Sequence, residues 1–166
     1  ISIKYKVTQP LNMPHMPSTG VSGVDLYRSD DQAFCFGNYK FGDTIHYNYK
    51  VDKEIKGKKE VEYVLYLPLY NEVTHLEISV PAKSRFAFVP AIKENPIVLY
   101  GTSIAQGACA SRPGMAWANI VSRTLNRPLI NLGFSGNGKL ESEVISLICE
   151  QRPSLVILDC MPGGYR

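Results

Sequence analysis

A serine in a glycine-containing loop is the first residue whose context suggests chemistry. Ser103 lies in Gly101-Thr102-Ser103-Ile104-Ala105-Gln106-Gly107, directly after a run of apolar residues. A serine that follows a buried strand can project from the end of a sheet as a nucleophile, and Gly101 allows the tight turn that this position requires. A serine that caps a short helix is the alternative interpretation. A phosphate-binding loop is a weaker one, because the glycine spacing fits neither phosphate-binding fingerprint.

Two further loops have compositions that fit the same site. Residues 131–138 contain three glycines within six residues, so the backbone can approach a ligand closely. The N–H of Gly136 could donate to an oxyanion there. The alternative is a glycine-rich turn in which Asn137 caps the next helix. A third loop, residues 158–163, follows another apolar run.

Alternating strands and helices after residue 90 predict that these three loops meet. Continuous apolar runs are typical of strands buried on both faces, and stripes of apolar residues at helical spacing separate them. The runs lie at 97–100, 129–132 and 155–158, and the helical stripes at 116–125 and 140–148. This order predicts a parallel sheet, whose ligand sites lie at the carboxyl ends of the strands. An unpaired edge at the last strand favours self-association into a homo-oligomer.

Residues 1–90 show a different, all-β pattern. Alternating segments rich in Tyr, Phe, Val and Ile predict short strands, with no helix of useful length. These segments are 33–36, 44–51, 61–67, 74–80 and 85–89. Turn residues separate them, including Gly37-Asn38, and this spacing predicts an antiparallel sandwich or jelly roll. Three prolines within the first 20 residues predict an extended arm at the start of the chain.

Composition excludes several classes of protein. The formal net charge of +3 in 166 residues is too small to indicate a nucleic-acid partner. The lysines of residues 53–59 are interpreted as a solvated hairpin tip. Four cysteines fit no zinc pattern, and neither a metal nor another cofactor is expected. No apolar stretch is long enough to span a membrane. A chain that starts at Ile1 is expected to have been trimmed, either by cleavage of a signal peptide or by the choice of expression boundaries. The compartment is left open, with secreted or periplasmic slightly favoured over cytoplasmic.

Longer motifs resemble one enzyme family. The Ser103 loop and the following Ala110-Ser111-Arg112-Pro113-Gly114-Met115 resemble the first block of SGNH-type, GDSL-like acylhydrolases, in the branch that reads G-T-S-I-x-Q-G. Residues 131–138 and 158–162 resemble the second block and the approach to the third. Gly23-Val24-Asp25-Leu26-Tyr27 resembles the G-x-D-L-Y signature of the β-domain that precedes these esterases. The resemblance covers roughly residues 20–162.

The resemblance implies an architecture and a reaction. Residues 1–90 would form the jelly-roll-like β-domain, and residues 91–166 the first part of a flavodoxin-like hydrolase domain. The reaction would be ester hydrolysis through an acyl-serine, with Ser103 as nucleophile and the N–H groups of Ser103 and Gly136 as oxyanion donors. The further candidates for oxyanion or substrate contacts are Gln106, Arg112, Asn137 and Gly163. For Arg112, bracing of its own loop is an equal alternative.

Two departures from the family pattern bear on activity. The third block of the family supplies an Asn side chain to the oxyanion site, and Gly163 stands at that position here. Loss of one such donor costs about 100- to 1000-fold in rate. The Asp-x-x-His block that supplies the general base is absent and would lie beyond residue 166. His15, His46 and His75 all fall in the β-domain, so we expect this polypeptide alone to be inactive or nearly so.

Three functions are compatible with these observations. The first is hydrolysis of small acyl esters, with O-acylated carbohydrate as a candidate substrate. The second is acyl transfer by the same serine to a different acceptor. The third is a non-catalytic protein whose β-domain binds a glycan or another chain. The ten tyrosines are explained by strand propensity or by an aromatic sugar platform.

Overall fold

The computed structural model describes residues 1–51, 60–90 and 93–160. Contacts between residues divide the chain into two units. Unit 1 consists of Ile1–Pro90 together with Ser111–Gly114, and unit 2 of Ala91–Ala110 together with Met115–Arg166. The segment predicted as a hairpin tip, residues 53–59, lies outside the described residues.

The described residues of unit 1 form two antiparallel sheets. Their strands are β1 Ser2–Val7, β2 Asp25–Arg28, β3 Gly37–Lys40, β4 Ile45–Tyr49, β5 Tyr63–Tyr66 and β6 Val73–Ser79. One sheet has four strands in the order β3-β4-β1-β6, and the other pairs β2 with β5. A one-turn helix, α1 Ser18–Val21, precedes β2. The sheets share one core.

Alternation along β1 shows how the sequence builds that core. Ile3 and Tyr5 are buried, whereas Lys4 and Lys6 are exposed, as the two-residue period of a strand requires. Ile3 and Tyr5 pack in one cluster with Leu26 of the two-stranded sheet. Burial of apolar surface between the two sheets therefore holds them together.

Buried tyrosines also satisfy their hydroxyl groups within this core. The Tyr5 hydroxyl donates to the carbonyl oxygen of Ser22 at 2.6 Å, and the Tyr49 hydroxyl donates to that of Val24 at 2.7 Å. Desolvation is the largest cause that raises the pKa of Tyr5, Tyr47 and Tyr49, and neighbouring acidic groups add to it. These phenols therefore remain neutral donors at ordinary pH.

Unit 2 is organised around a parallel sheet whose described strands have the order β8-β7-β9. The strands are β7 Ile97–Gly101, β8 Leu129–Gly133 and β9 Leu155–Asp159, and the helices are α2 Ser103–Gln106, α3 Trp117–Leu125 and α4 Ser142–Glu150. Every residue of β7 is buried. Val98 packs against Ile148 of α4, and Leu99 packs against Ala118 of α3. β7 is therefore covered on both faces, as its apolar run predicts.

A mixed α/β architecture and the β-α-β-α-β order of unit 2 are confirmed. The jelly-roll-like and flavodoxin-like arrangements stay predictions. The predicted extended arm is wrong at residues 2–7, because these residues form β1 in the middle of the larger sheet. The three prolines begin only after that strand, so they do not prevent its pairing.

Three further predictions about unit 1 are wrong. Gly37 and Asn38 are not a turn but the start of β3, which pairs with β4. Within residues 33–36 only an isolated bridge forms, between Phe34 and Tyr27. Residues 85–89 form no strand, and Phe88 is 83% exposed. Alternation there reflects composition alone, because none of the strands that the structure describes pairs with these residues.

Candidate active site

The carboxyl ends of three strands meet at one edge of the parallel sheet. Gly101, the last residue of β7, is in register with Gly133 of β8 and with Asp159 of β9. The N–H of Phe134 donates to the carbonyl oxygen of Gly101 at 2.8 Å, and the N–H of Thr102 donates to that of Asp159 at 3.3 Å. The loops that follow the three strands therefore start side by side, as the alternation of strands and helices predicts.

Ser103 is the first residue of α2, and it is half-buried. Thr102 occupies the N-cap position and makes no capping hydrogen bond with its side chain, so the interpretation of Ser103 as the cap is wrong. Gly107 ends the helix with a φ of 103°. A helix of one turn has little macrodipole, because few peptide units are aligned. Individual N–H groups, and not a helix dipole, would have to stabilise negative charge beside Ser103.

Two glycines allow the loops to lie this close together. A Cβ atom on Gly133 would lie 2.1 Å from the backbone nitrogen of Gln106. A Cβ atom on Gly138 would lie 2.7 Å from the carbonyl oxygen of Gly101. Both neighbours are backbone atoms, which cannot move away without a shift of the chain. Gly133 and Gly138 were predicted to let the backbone approach a ligand closely. In the structure they let neighbouring loops approach each other closely.

Hydrogen bonds from side chains hold the first two loops in register. The Gln106 side-chain carbonyl accepts from the N–H of Ser135 at 2.8 Å. The Asn131 amide donates to the carbonyl oxygen of Ala105 at 2.8 Å, and its own oxygen accepts from the N–H of Gly133 at 2.8 Å. Gln106 thus braces the second loop, and its predicted contact with substrate stays a prediction.

The tip of the second loop is a tight turn centred on Gly136. The N–H of Asn137 donates to the carbonyl oxygen of Phe134 at 2.9 Å, and Gly136 has a φ of +77°. This φ is typical of the third position of a type II turn. No atom of the described part of the chain lies within 4 Å of a Cβ atom built at Gly136, so the backbone angle and not space requires glycine there. Asn137 is not the cap of α4, because that helix begins at Ser142.

The Gly136 N–H is exposed and makes no hydrogen bond within residues 1–51, 60–90 and 93–160. An unused backbone donor on a loop beside a serine is the feature that an oxyanion site requires. The Asn137 side chain is also exposed and unbonded among those residues. Both groups are therefore accessible to a ligand, and their roles stay predictions.

A buried tyrosine anchors the base of the second loop. The Tyr100 hydroxyl, at the end of β7, donates to the carboxylate of Glu141 and accepts from the N–H of Leu140 at 3.1 Å. Burial raises the pKa of Tyr100, and its hydrogen bond lowers the pKa of Glu141. Leu140 has a φ of 60°, an angle that is unfavourable for a residue with a side chain. The tyrosine therefore stabilises a strained segment that connects the Gly136 turn to α4.

Models of known families match both units of the sequence. Residues 1–86 match GxDLY, the N-terminus of SGNH-hydrolase-type esterases. Residues 94–165 match the GDSL-like lipase/acylhydrolase family. The chain belongs to the SGNH-type, GDSL-like hydrolases.

A solved structure described as a GDSL-like lipase from Bacteroides ovatus ATCC 8483 is similar to this SGNH-type chain. The TM-score is 0.81 and the sequence identity 38%. The match covers 97% of this chain and 48% of that one, so this chain spans about half the length of the solved relative. No curated protein matches the chain.

Arg112 of this SGNH-type chain lies in unit 1. Its Nη1 atom donates to the hydroxyl of Tyr27 at 3.0 Å and to the carboxylate of Asp25 at 3.3 Å. The same carboxylate accepts from the N–H of Gly114 at 2.7 Å, and the guanidinium lies 3.8 Å from the ring centre of Phe34. These contacts agree with the alternative interpretation, in which Arg112 braces its own loop. Its contact with a substrate stays a prediction.

No histidine occurs in unit 2 of this SGNH-type chain. His46 and His75 are strand residues of unit 1, as predicted. The His46 ring nitrogen is 2.8 Å from the Ser2 hydroxyl, and that of His75 is 2.8 Å from the Glu77 carboxylate. Neither His46 nor His75 is thus part of the sheet edge that carries Ser103.

The third loop of the family pattern is described only as far as Cys160. Burial is the largest cause that raises the pKa of the Cys160 thiol, followed by the charges of Asp159 and Glu141. The thiol is therefore held protonated and is a poor nucleophile. One Asp159 carboxylate oxygen is buried and has no hydrogen-bond partner among residues 1–51, 60–90 and 93–160. Gly163, the predicted departure from the oxyanion pattern, lies outside the described residues.

The described residues hold no group of three or more metal-ligating side chains. No helix among them combines the length and the apolar character of a membrane span.

Sequence reasoning missed the residues that brace the site. Tyr100 reads as part of an apolar strand, and Glu141 as an ordinary surface residue. A signal was present in principle, because a tyrosine at the end of a fully buried strand needs a hydrogen-bond partner. The identity of that partner, 41 residues later, was not readable from spacing.

Proposed function

We propose that this chain carries the nucleophile of a serine esterase. Ser103 attacks the carbonyl carbon of an acyl ester, the ester C–O bond breaks, and the alcohol leaves with a proton. Water then hydrolyses the acyl-serine and releases the acid. The observation that carries the proposal is the position of Ser103 at the shared sheet edge, in a chain of the GDSL-like family. The adjacent loop contains the Gly136 N–H, which has no hydrogen-bond partner among the described residues.

Oxyanion stabilisation is assigned to backbone donors. The N–H groups of Ser103 and Gly136 would bind the negative oxygen of the tetrahedral intermediate. The Gly136 N–H makes no hydrogen bond among the residues that the structure describes, which supports this role. Gly163 provides no side-chain donor where the family pattern has Asn, so we expect weaker stabilisation from the third loop.

The substrate class is an ester of a small acyl group, with O-acylated carbohydrate as the candidate. The β-domain that precedes the hydrolase segment supports a polymeric or glycosidic leaving group. We also propose a jelly-roll-like arrangement for unit 1, a flavodoxin-like arrangement for unit 2 and a secreted or periplasmic location.

Turnover by this polypeptide alone is proposed to be very low. A serine hydroxyl is a weak nucleophile unless a base removes its proton, and unit 2 contains no histidine. Acyl transfer to an alcohol would use the same serine and is distinguished by its products. A non-catalytic role is the third candidate, and the missing base favours it for this polypeptide.

Covalent labelling tests the proposal directly. The purified chain is incubated with a small fluorophosphonate, and its intact mass is measured beside those of Ser103→Ala and Ser135→Ala. Ser135 is an exposed serine on the second loop and serves as the matched control. One adduct that disappears only in Ser103→Ala supports an activated Ser103. An adduct that persists in Ser103→Ala refutes the assignment, and the absence of any adduct on a folded chain moves the non-catalytic role to first place.

A further inference from the structure

A cleft in unit 1 combines aromatic rings with a charged pair. Its volume is about 340 Å³, which is within the range of small-molecule sites. Its aromatic lining residues are Phe34, Phe36, Tyr39, Tyr47 and Tyr49. Gly37, the charged residues Asp25 and Arg112 and the hydroxyl-bearing residues Thr19 and Ser111 complete it. All of these residues belong to unit 1.

The aromatic rings are arranged as a supported platform. Tyr39 stacks on Tyr47 with ring centres 5.2 Å apart, and Tyr47 stacks on Tyr49 at 5.7 Å. Phe34 and Phe36 meet edge to face at 5.1 Å. Tyr47 and Tyr49 are buried, whereas Tyr39 is 56% exposed and Phe36 is 78% exposed. Two rings are thus open to solvent while their neighbours fix their positions.

Arg112 provides hydrogen-bond donors beside this platform. Its Nη1 atom is occupied by Asp25 and the Tyr27 hydroxyl. Its Nε and Nη2 donors make no hydrogen bond in the part of the chain that the structure describes. Asp25 lies within 3.3 Å of the guanidinium and neutralises much of its charge. The remaining donors therefore suit neutral hydroxyl oxygens better than they suit a strongly anionic group.

This combination matches one class of ligand. A pyranose ring has an apolar face of C–H groups, which packs on the electron-rich face of an aromatic ring, and a rim of hydroxyl groups that require polar partners. An entirely apolar ligand would leave the Arg112 donors without partners. An anionic ligand would lie close to the Asp25 carboxylate. We propose that this cleft binds a neutral pyranose of an oligosaccharide, with the sugar face on Tyr39 or Phe36 and its hydroxyls on Arg112.

The proposal is independent of the esterase chemistry, because none of its residues lies on the edge of the parallel sheet. Saturation-transfer difference NMR on the complete 166-residue chain tests it. The probes are cellohexaose, xylohexaose and mannohexaose, with an oligogalacturonate as the charged comparison and p-cresol as the apolar one. We expect at least one neutral oligosaccharide to receive saturation, strongest on its ring C–H protons, and to titrate in the millimolar range.

Variants assign the binding to the cleft. Tyr39→Leu and Phe36→Ala each remove an exposed ring face, and the variant that removes the ring under the sugar should weaken binding about tenfold. Tyr39→Trp keeps a ring face and should retain binding. Phe88→Ala removes an exposed aromatic ring that does not line the cleft and is the matched control. Ser103→Ala should bind as the unsubstituted chain does, which separates this proposal from the esterase assignment.

Several results would overturn the proposal. One is the absence of saturation transfer to every neutral probe from a folded chain. A second is sugar binding that Tyr39→Leu and Phe36→Ala leave unchanged. A third is a preference for p-cresol or for the oligogalacturonate over all neutral sugars, which would indicate an apolar or an anion-binding surface instead.

Discussion

Substitution of Asp25 by alanine should strongly destabilise unit 1. The carboxylate, whose side chain is 5% exposed, accepts from the N–H of Gly114 and pairs with Arg112. A buried N–H without an acceptor costs about 1 to 3 kcal/mol. Removal of one member of a fully buried ion pair costs about 3 to 5 kcal/mol. Because the Arg112 side chain is 29% exposed and water can reach it, we expect a total of about 2 to 4 kcal/mol.

Two spectroscopic signals allow each unit to be followed during urea unfolding. Of the ten tyrosines all except Tyr100 and Tyr165 lie in unit 1, so near-ultraviolet circular dichroism mainly reports that unit. Trp117 is the single tryptophan, and its fluorescence reports unit 2. The Asp25→Ala substitution should lower the free energy of unfolding measured by the tyrosine signal.

The matched control is Asp31→Ala, which also removes an aspartate paired with an arginine. Its partner is Arg28, and the Asp31 side chain is 46% exposed. An exposed pair contributes about 0 to 1 kcal/mol. The reasoning about Asp25 is refuted if Asp25→Ala costs no more than this control.

Three other perturbations have defined outcomes. Gly133→Ala places a Cβ atom 2.1 Å from a backbone nitrogen and should destabilise unit 2 by about 2 to 4 kcal/mol. Gly136→Ala meets no atom of the described residues and should cost only about 1 to 2 kcal/mol, because of its positive φ. Tryptophan fluorescence in urea compares the two, and equal costs would contradict the prediction. Burial holds the pKa values of Tyr5 and Tyr49 above the ordinary 10.0, so the stability that their neutral form gives to unit 1 is present below pH 10.0 and declines as pH rises above it. Tyrosinate absorbance and circular dichroism should therefore change together in alkali, and full ionisation near pH 10.0 without unfolding would count against it. The folded pKa of Glu141 is lowered from 4.5, so its contribution is present above that value and is lost as pH falls through the lower folded value. Glu141→Gln should reduce the fall in the free energy of unfolding of unit 2 as pH drops below 4.5. An unchanged fall would show that the hydrogen bond to Tyr100 has no such effect.

The location of the candidate site was predictable because it depends on local patterns. Strands buried on both faces can be recognised in a sequence as continuous apolar runs. Parallel strands joined by helices must place their carboxyl ends at the same edge of the sheet. Ser103 and Gly136 each follow such a run closely in sequence. Their neighbourhood therefore follows from topology, without knowledge of any side-chain contact.

The contacts that support the site were not predictable in the same way. Tyr100 meets Glu141 across 41 residues, and Arg112 meets Asp25 across 87. Such pairs depend on the complete packing of a unit, to which periodicity gives no access. Strand β1 has a different explanation, because its alternation at residues 2–7 is a local pattern that predicts a strand, whereas the prolines after residue 7 predict an extended arm.

The excursion of Ser111–Gly114 into unit 1 has a consequence for the order in which the protein is made. Asp25 leaves the ribosome long before Gly114, whose N–H it must bind across 89 residues of chain. During synthesis the Asp25 carboxylate therefore lacks this donor while the whole β7 segment and the Ser103 turn are added. A recombinant β-domain that ends at Pro90 would lack the hydrogen bond from Gly114 to Asp25 permanently. Its free energy of unfolding would be lower than that of the same sheets in the complete chain. A domain boundary at residue 114 or later would include Gly114 and restore the hydrogen bond to Asp25.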